Sequence, residues 1–140
     1  MAAPPSQPNA EPCPGPSFPF ARRFAYDSPD VKLRGTIEAQ TFPGPPNYQS
    51  VENGDAAETY WILNLEGPIC TLAAQPDPDG SQYEPAENNV SKMQLMLDGD
   101  TYQTYRSLLG KPVTVTGSLF HAFSAHHRTA LLLQVTNIEP

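Results

Sequence analysis

The sequence predicts a mainly β protein: a small five-stranded OB-like Greek-key barrel with one short helix between strands three and four. Two observations carry this. Apolar and polar residues alternate at period two in five separate segments, the mark of half-buried strands. The period lengthens to helical spacing between the third and fourth of these segments. An SH3-like barrel and a split sandwich share part of the pattern and stay open as alternatives.

The first segment, "VKLRGTIEAQTF", points Val31, Leu33, Ile37 and Ala39 one way and Lys32, Arg34, Thr36, Glu38 and Gln40 the other. Gly35 interrupts it, as at a bulge or sharp bend. A long loop with turn chemistry follows, Pro43 to Glu58. The second segment, "TYWILNLEGPIC", places Trp61, Leu63 and Leu65 on one face. The acidic, proline-rich stretch "TLAAQPDPDGSQYEPAENN" reads as a loop; its D-x-D-G run lacks the flanking helices of a calcium-binding loop. The third segment, "VSKMQLMLD", carries Met93, Leu95 and Leu97 in alternation.

Tyr102, Tyr105 and Leu109 then fall at helical spacing, with Asp100 as N-cap, Gly110 as C-cap and Pro112 just beyond. Alternation returns in "VTVTGSLFHAF", with Val113, Val115, Leu119 and His121 in phase. The last segment, "TALLLQVTNIE", contains the unbroken run Leu131 to Leu133, which suits a strand covered on both faces.

Of the 17 prolines in 140 residues, seven crowd the stretch "MAAPPSQPNAEPCPGPSFPF". It can form neither a helix nor a central strand. Residues 1–23 are therefore read as a flexible tail and 24–140 as the barrel domain. The net charge of −7 sets the chain against phosphate backbones, so no nucleic-acid partner is expected, and it suits a basic protein partner. No apolar run approaches the ~20 residues of a membrane-spanning helix. The opening "AAPPSQP" resembles the start of a mature exported protein, so a periplasmic or secreted chain with its leader removed is expected; a cytosolic chain is the alternative. In an oxidising compartment Cys13 and Cys70 are expected to form a disulfide, which in the chain-entropy picture stabilises by about 3–5 kcal/mol. The alternative is two unrelated thiols.

Two stretches, "TFPGPPNYQSVENGDAAETYWILNLEGPIC" and "YQTYRSLLGKPVTVTGSLFHAFSAHHRTALLLQV", resemble an uncharacterised bacterial family, domain of unknown function number 4431. Helix end, strand and histidine-bearing tip follow in one order in the second. The resemblance implies a small exported protein and no defined activity. The sequence departs from that pattern at Phe123 and Arg128, where histidines are usual, and near Arg23, where relatives carry a cysteine.

Of the chain's three histidines, His121 lies on the fourth strand and His126 and His127 near the turn that follows. A zinc site needs three or four ligands converging at ~2.0–2.1 Å. Neighbouring strand residues point to opposite faces, and no carboxylate lies between Lys111 and Asn137. A polar hairpin tip is the favoured reading; a metal site and a pH-responsive tip are the alternatives, and neither a metal nor any other cofactor is expected. No serine-nucleophile elbow or phosphate loop is present. The carboxylates, among them Glu52, Asp55, Glu58, Asp77, Asp79, Glu84 and Glu87, read as solvated loop charge, so no catalytic residue is assigned.

Long loops in compact domains are often binding elements. In an OB-type barrel the loops after strands one and four flank the ligand face. Asn47 and Tyr48 of the first loop, with His121, His126, His127 and Arg128 of the tip, are therefore the candidate binding residues. The alternative is a loop that packs back on Trp61. The expected function is that of a small exported non-enzymatic binding module. Its partner is expected to be a protein: the module would act as inhibitor or immunity protein against a basic secreted toxin or hydrolase. A glycan, peptidoglycan-fragment or metal-binding module is the alternative.

Overall fold

The computed structural model describes residues 23–26, 28–81 and 83–140. The proline-rich stretch and Cys13 lie outside the described residues. Strands β1 (Arg23–Phe24), β2 (Val31–Pro43), β3 (Ala57–Thr71) and β4 (Glu87–Met96) precede helix α1 (Thr101–Tyr105), which runs into a 3-10 turn, Arg106–Leu108. Strands β5 (Pro112–His121) and β6 (Leu131–Glu139) complete the chain.

The sheet order is β1-β3-β2-β5-β6-β4, and a further β3–β4 pairing closes the last five into a barrel. All barrel pairings are antiparallel except β4 with β6. With β2 to β6 as strands one to five, this is the OB-like arrangement expected, with the helix between strands three and four but ending at Leu108, short of the expected Leu109 and Gly110. Other details differ as well. Arg23, counted with the tail, belongs to β1 and pairs in parallel with Cys70; two residues are too few to show an alternation. Asp100 does not cap the helix through its side chain. The Asp98 carbonyl instead accepts from both the Thr101 N–H (2.9 Å) and its hydroxyl (2.6 Å). Gly110, the expected C-cap, has a left-handed φ of 82°, but the turn is capped one residue earlier by the Leu109 N–H on the Arg106 carbonyl, and the Gly110 N–H donates to the Ile37 carbonyl at 2.9 Å.

The odd-numbered residues of β2 and β3 face the interior. Ile37, Trp61 and Leu63 are buried there with Met93, Leu95, Val113, Val115, Leu119, Leu131 and Leu133. Ala39, expected on this face, is exposed, because β2 runs past its last pairing with β5 at Thr36 and continues only as a hairpin arm with β3. Tyr102 of α1 meets the Trp61 ring edge-on at 5.0 Å, plugging the barrel end. Trp61 is thus occupied by the helix and not by the loop after β2.

Two glycines permit the barrel to close. Gly35 pairs with both Leu65 and Val113, and a Cβ there would collide with the carbonyl oxygen of Asn64. Gly117 sits at a register shift in the β5–β6 ladder, where a Cβ would collide with the carbonyl oxygen of Gln134. Backbone cannot swing aside as a side-chain end can. Gly35→Ala and Gly117→Ala are predicted to cost about 2–3 kcal/mol or more each. Gly99→Ala, where a Cβ meets nothing within 4 Å, stays within ~0.5 kcal/mol of wild type. Urea unfolding midpoints of the three variants measure this.

Candidate functional site

The even-numbered residues of the β2–β3 arm share the outer face. The ladder sets Phe42 opposite Glu58 and Gln40 opposite Tyr60. Farther along, a row of cross-strand neighbours runs Glu38–Ile62–Gln94–Leu132–Phe120 across four partner strands. An outer face should be wet, yet Ile62 is 1 % exposed and Gln94 and Leu132 0 %. The cause is the β5–β6 connection, which folds back over them. Gln94 holds it there: its Oε1 accepts the Arg128 N–H at 2.6 Å and its Nε2 donates to the His126 carbonyl at 3.2 Å. The Gln94 N–H donates to the Thr129 hydroxyl oxygen at 2.9 Å, and that hydroxyl donates to the Leu131 carbonyl at 2.6 Å. The Leu131–Leu133 run is thus covered on both faces, as its composition implies.

The loop after β2 is ordered by Asp55. One carboxylate oxygen accepts the Asn47 N–H at 2.9 Å and the other accepts those of Gln49 (2.8 Å) and Ser50 (2.9 Å). Asp55 is 6 % exposed, and those three N–H groups, Ser50's foremost, hold its carboxyl below the ordinary aspartate value. It is a buried structural acid, not the solvated charge the sequence suggests. The loop base continues the hairpin through Gly44 N–H to Ala56 O (2.6 Å) and Ala56 N–H to Pro45 O (2.8 Å). The Pro45–Pro46 peptide bond is cis, and Tyr48 has a left-handed φ of 56°.

Loop and tip meet at Glu58. Its Oε1 accepts from Tyr60 Oη (2.9 Å), His126 Nδ1 (2.9 Å) and Arg128 Nη2 (2.8 Å). The Arg128 guanidinium carbon lies 5.4 Å from the Phe42 and Tyr48 ring centres and 5.7 Å from that of Tyr60. The Tyr48 ring meets the His126 ring edge-on at 5.8 Å, and its hydroxyl lies 3.5 Å from Nε2. Gly44 makes room for the carboxylate: a Cβ there would sit 2.7 Å from Glu58 Cδ. Glu58 is held below the ordinary glutamate value, first by the bond from His126; desolvation opposes this, and Arg128 and Tyr60 add to it.

The remaining histidines face elsewhere. His121 Nε2 lies 2.7 Å from Glu87 Oε2, and its Nδ1 lies 3.0 Å from the Ala122 carbonyl. His127 Nδ1 accepts the Phe123 N–H at 3.0 Å, and its ring packs edge-on against Phe123 (4.5 Å) and Phe120 (5.7 Å). Burial, and then the charge of His126, lowers the His127 pKa. Among the described residues no group of three or more His, Cys, Asp or Glu is placed to hold a metal ion.

The candidate residues Tyr48, His126 and Arg128 are therefore brought into one cluster. Asn47 is exposed beside it, while His121 and His127 anchor the tip separately. Arg128 departs from its reading as an exposed anchor: its side chain is 10 % exposed, and its Nε is buried with no partner. Phe42, Tyr60 and Gln94 are not among the sequence candidates, and Glu58 and Glu87, expected as solvated loop charge, are strand residues bonded by Tyr60, His126 and Arg128 and by His121. Glu58 and Glu87 come from strands distant in sequence, and Gln94 occupies what alternation marks as a solvent position. The covered Leu132 was the one local sign that something lies over this face.

These features define a closed OB-like barrel whose outer strand face is covered by its own last hairpin loop. Residues 92–139, from within β4 to the end of β6, match the family described as Domain of unknown function (DUF4431). The match takes in Gln94 and the whole tip but not Glu58 or the aromatic rings around Arg128. No curated protein matches the chain.

Glu58, Asp55 and His127 each have a folded pKa below the unfolded one. Such a group contributes fully above its unfolded value, and the contribution is lost as pH falls through the folded value. The melting temperature is predicted to fall in two stages on acidification: below ~6.5 through His127, then below ~4.3 through Glu58, joined below ~3.9 by Asp55. Melts between about pH 3 and pH 8 measure this; His127→Gln removes the upper stage and Glu58→Gln reduces the lower.

Proposed function

We propose that the chain is a small exported, non-enzymatic binding module, and that it engages a protein through the joined surface of the 44–56 loop and the 122–130 tip. The observation that carries this reading is Phe123. Its side chain is 76 % exposed, yet its backbone is bonded to His127 and its ring is set against that imidazole. The tip beneath is clamped by Gln94 and Glu58. An aromatic ring held rigid in water is a poor choice for stability and a good one for contact, since little freedom is lost when a partner covers it. Val51, 44 % exposed on the loop, adds apolar surface. The acidic balance favours a basic partner, of which a secreted toxin or hydrolase is one class. The barrel's role is then that of an inhibitor or immunity protein.

The test is affinity for the purified secreted proteins encoded beside this chain, measured by calorimetry. Phe123→Ala is predicted to weaken a verified complex by roughly thirtyfold, as loss of ~2 kcal/mol implies. Its melting temperature stays near wild type. Tyr48→Ala is predicted to weaken it as well. Wild-type affinity in both variants would move the surface elsewhere. Arg128→Ala is not a clean surface test, because it empties a packed cluster and costs more than the ~0.5 kcal/mol of an ordinary surface change.

Export implies the Cys13–Cys70 disulfide. Cys70 is fully buried, and there is no free cysteine among the described residues, which supports the pairing. Thiol titration of denatured, unreduced protein from an oxidising compartment is predicted to find none. Two reactive thiols would rule it out.

A further inference from the structure

The cluster around Arg128 divides into two halves of different origin. Three aromatic rings and a carboxylate come from the β2–β3 arm and its loop: Phe42, Tyr48, Tyr60 and Glu58. The cation comes from the tip, as does His126, which shares Glu58 Oε1 with it. The first half is built largely without the second. Glu58 is seated on Gly44 and bonded by Tyr60, Phe42 and Tyr60 lie 6.3 Å apart, and Asp55 fixes the backbone on either side of Tyr48. This is a receptor for a planar cation, with ring faces around it and an anion to take its N–H donors. A guanidinium suits it better than an ammonium, which has no flat face to lay against rings.

The resident cation fits incompletely. Arg128 approaches on a tether fixed at its own backbone by Gln94, and its Nε–H is left buried without an acceptor. A guanidinium arriving from outside is free of that tether. We propose that the box of Phe42, Tyr48 and Tyr60 over Glu58 is a guanidinium-recognition site, that Arg128 is its resident occupant, and that the arginine side chain of another molecule is the ligand it would take in Arg128's place. That the arginine belongs to a basic protein partner rests on the binding reading above; the site's chemistry does not.

The experiment uses the full chain with Arg128→Ala and methylguanidinium as the probe, with methylammonium at equal concentration as control. The variant's melting temperature is expected to rise with methylguanidinium by roughly 4 °C at about ten times the dissociation constant, and not with methylammonium. Wild type, its site filled, is expected to gain nothing, and Glu58→Gln combined with Arg128→Ala is expected to lose the response. If Arg128→Ala is unfolded alone, recovery of its far-ultraviolet dichroism by methylguanidinium but not methylammonium is the supporting result. An equal response to both cations, an equal response in wild type, or no response in any form overturns the proposal. Wild-type partner affinity in the Phe123 and Tyr48 variants would move the binding surface elsewhere and leave this result untouched.

Discussion

One carboxylate oxygen, Glu58 Oε1, receives three donors from two parts of the chain that are far apart in sequence. Tyr60 comes from the same strand; His126 and Arg128 come from the tip, 68 and 70 residues away. A charged acceptor strengthens each bond, and the half-enclosed setting lessens competition from water. The position of the tip follows from this and from Gln94, which fixes the tip backbone while Glu58 fixes its side chains. The left-handed Tyr48 and the Asp55-closed loop belong to the same arrangement, since both serve to bring a ring up to Arg128 and His126.

The tip's location changes what the barrel can do. In an OB-type barrel the face of the second and third strands, flanked by the two loops, is where oligomeric ligands lie. Here the corresponding outer residues Ile62 and Gln94 are shut off by the chain itself. A strand of sugars or nucleotides has no open groove across them while the tip is docked. What stays exposed is the crest of the tip with Phe123 and the side of the loop with Val51.

The barrel was legible because closure needs inward residues at period two, and that pattern survives in long stretches of β2, β3 and β5, though the β3–β4 ladder shifts register beyond Asn64 and β4 and β6 bury three residues in succession. The short β1 was not legible, since its place depends on pairing with β3 rather than on its own two residues. The meeting of loop and tip followed from strand order alone. Its chemistry did not. Whether a glutamate is solvated or the centre of a cluster depends on what lies across the barrel from it, and alternation marks Glu58 and Gln94 only as outward. The buried Arg128 shows the same limit: outward on a hairpin tip does not mean wet when the tip folds back.

Strand closure also bears on what the recurring segment 92–139 amounts to. It holds the end of β4 with β5 and β6, but neither β2 nor β3, which flank β5 and β4 and seal the barrel. Cut out alone, it would bare Val113, Val115, Leu131 and Leu133 on one side and Leu132 on the other. Its tip would keep Arg128 and lose the acid and rings that enclose it. In this chain the matched segment is therefore smaller than the unit that folds: the missing staves, and the seat for the tip, come from sequence outside the match.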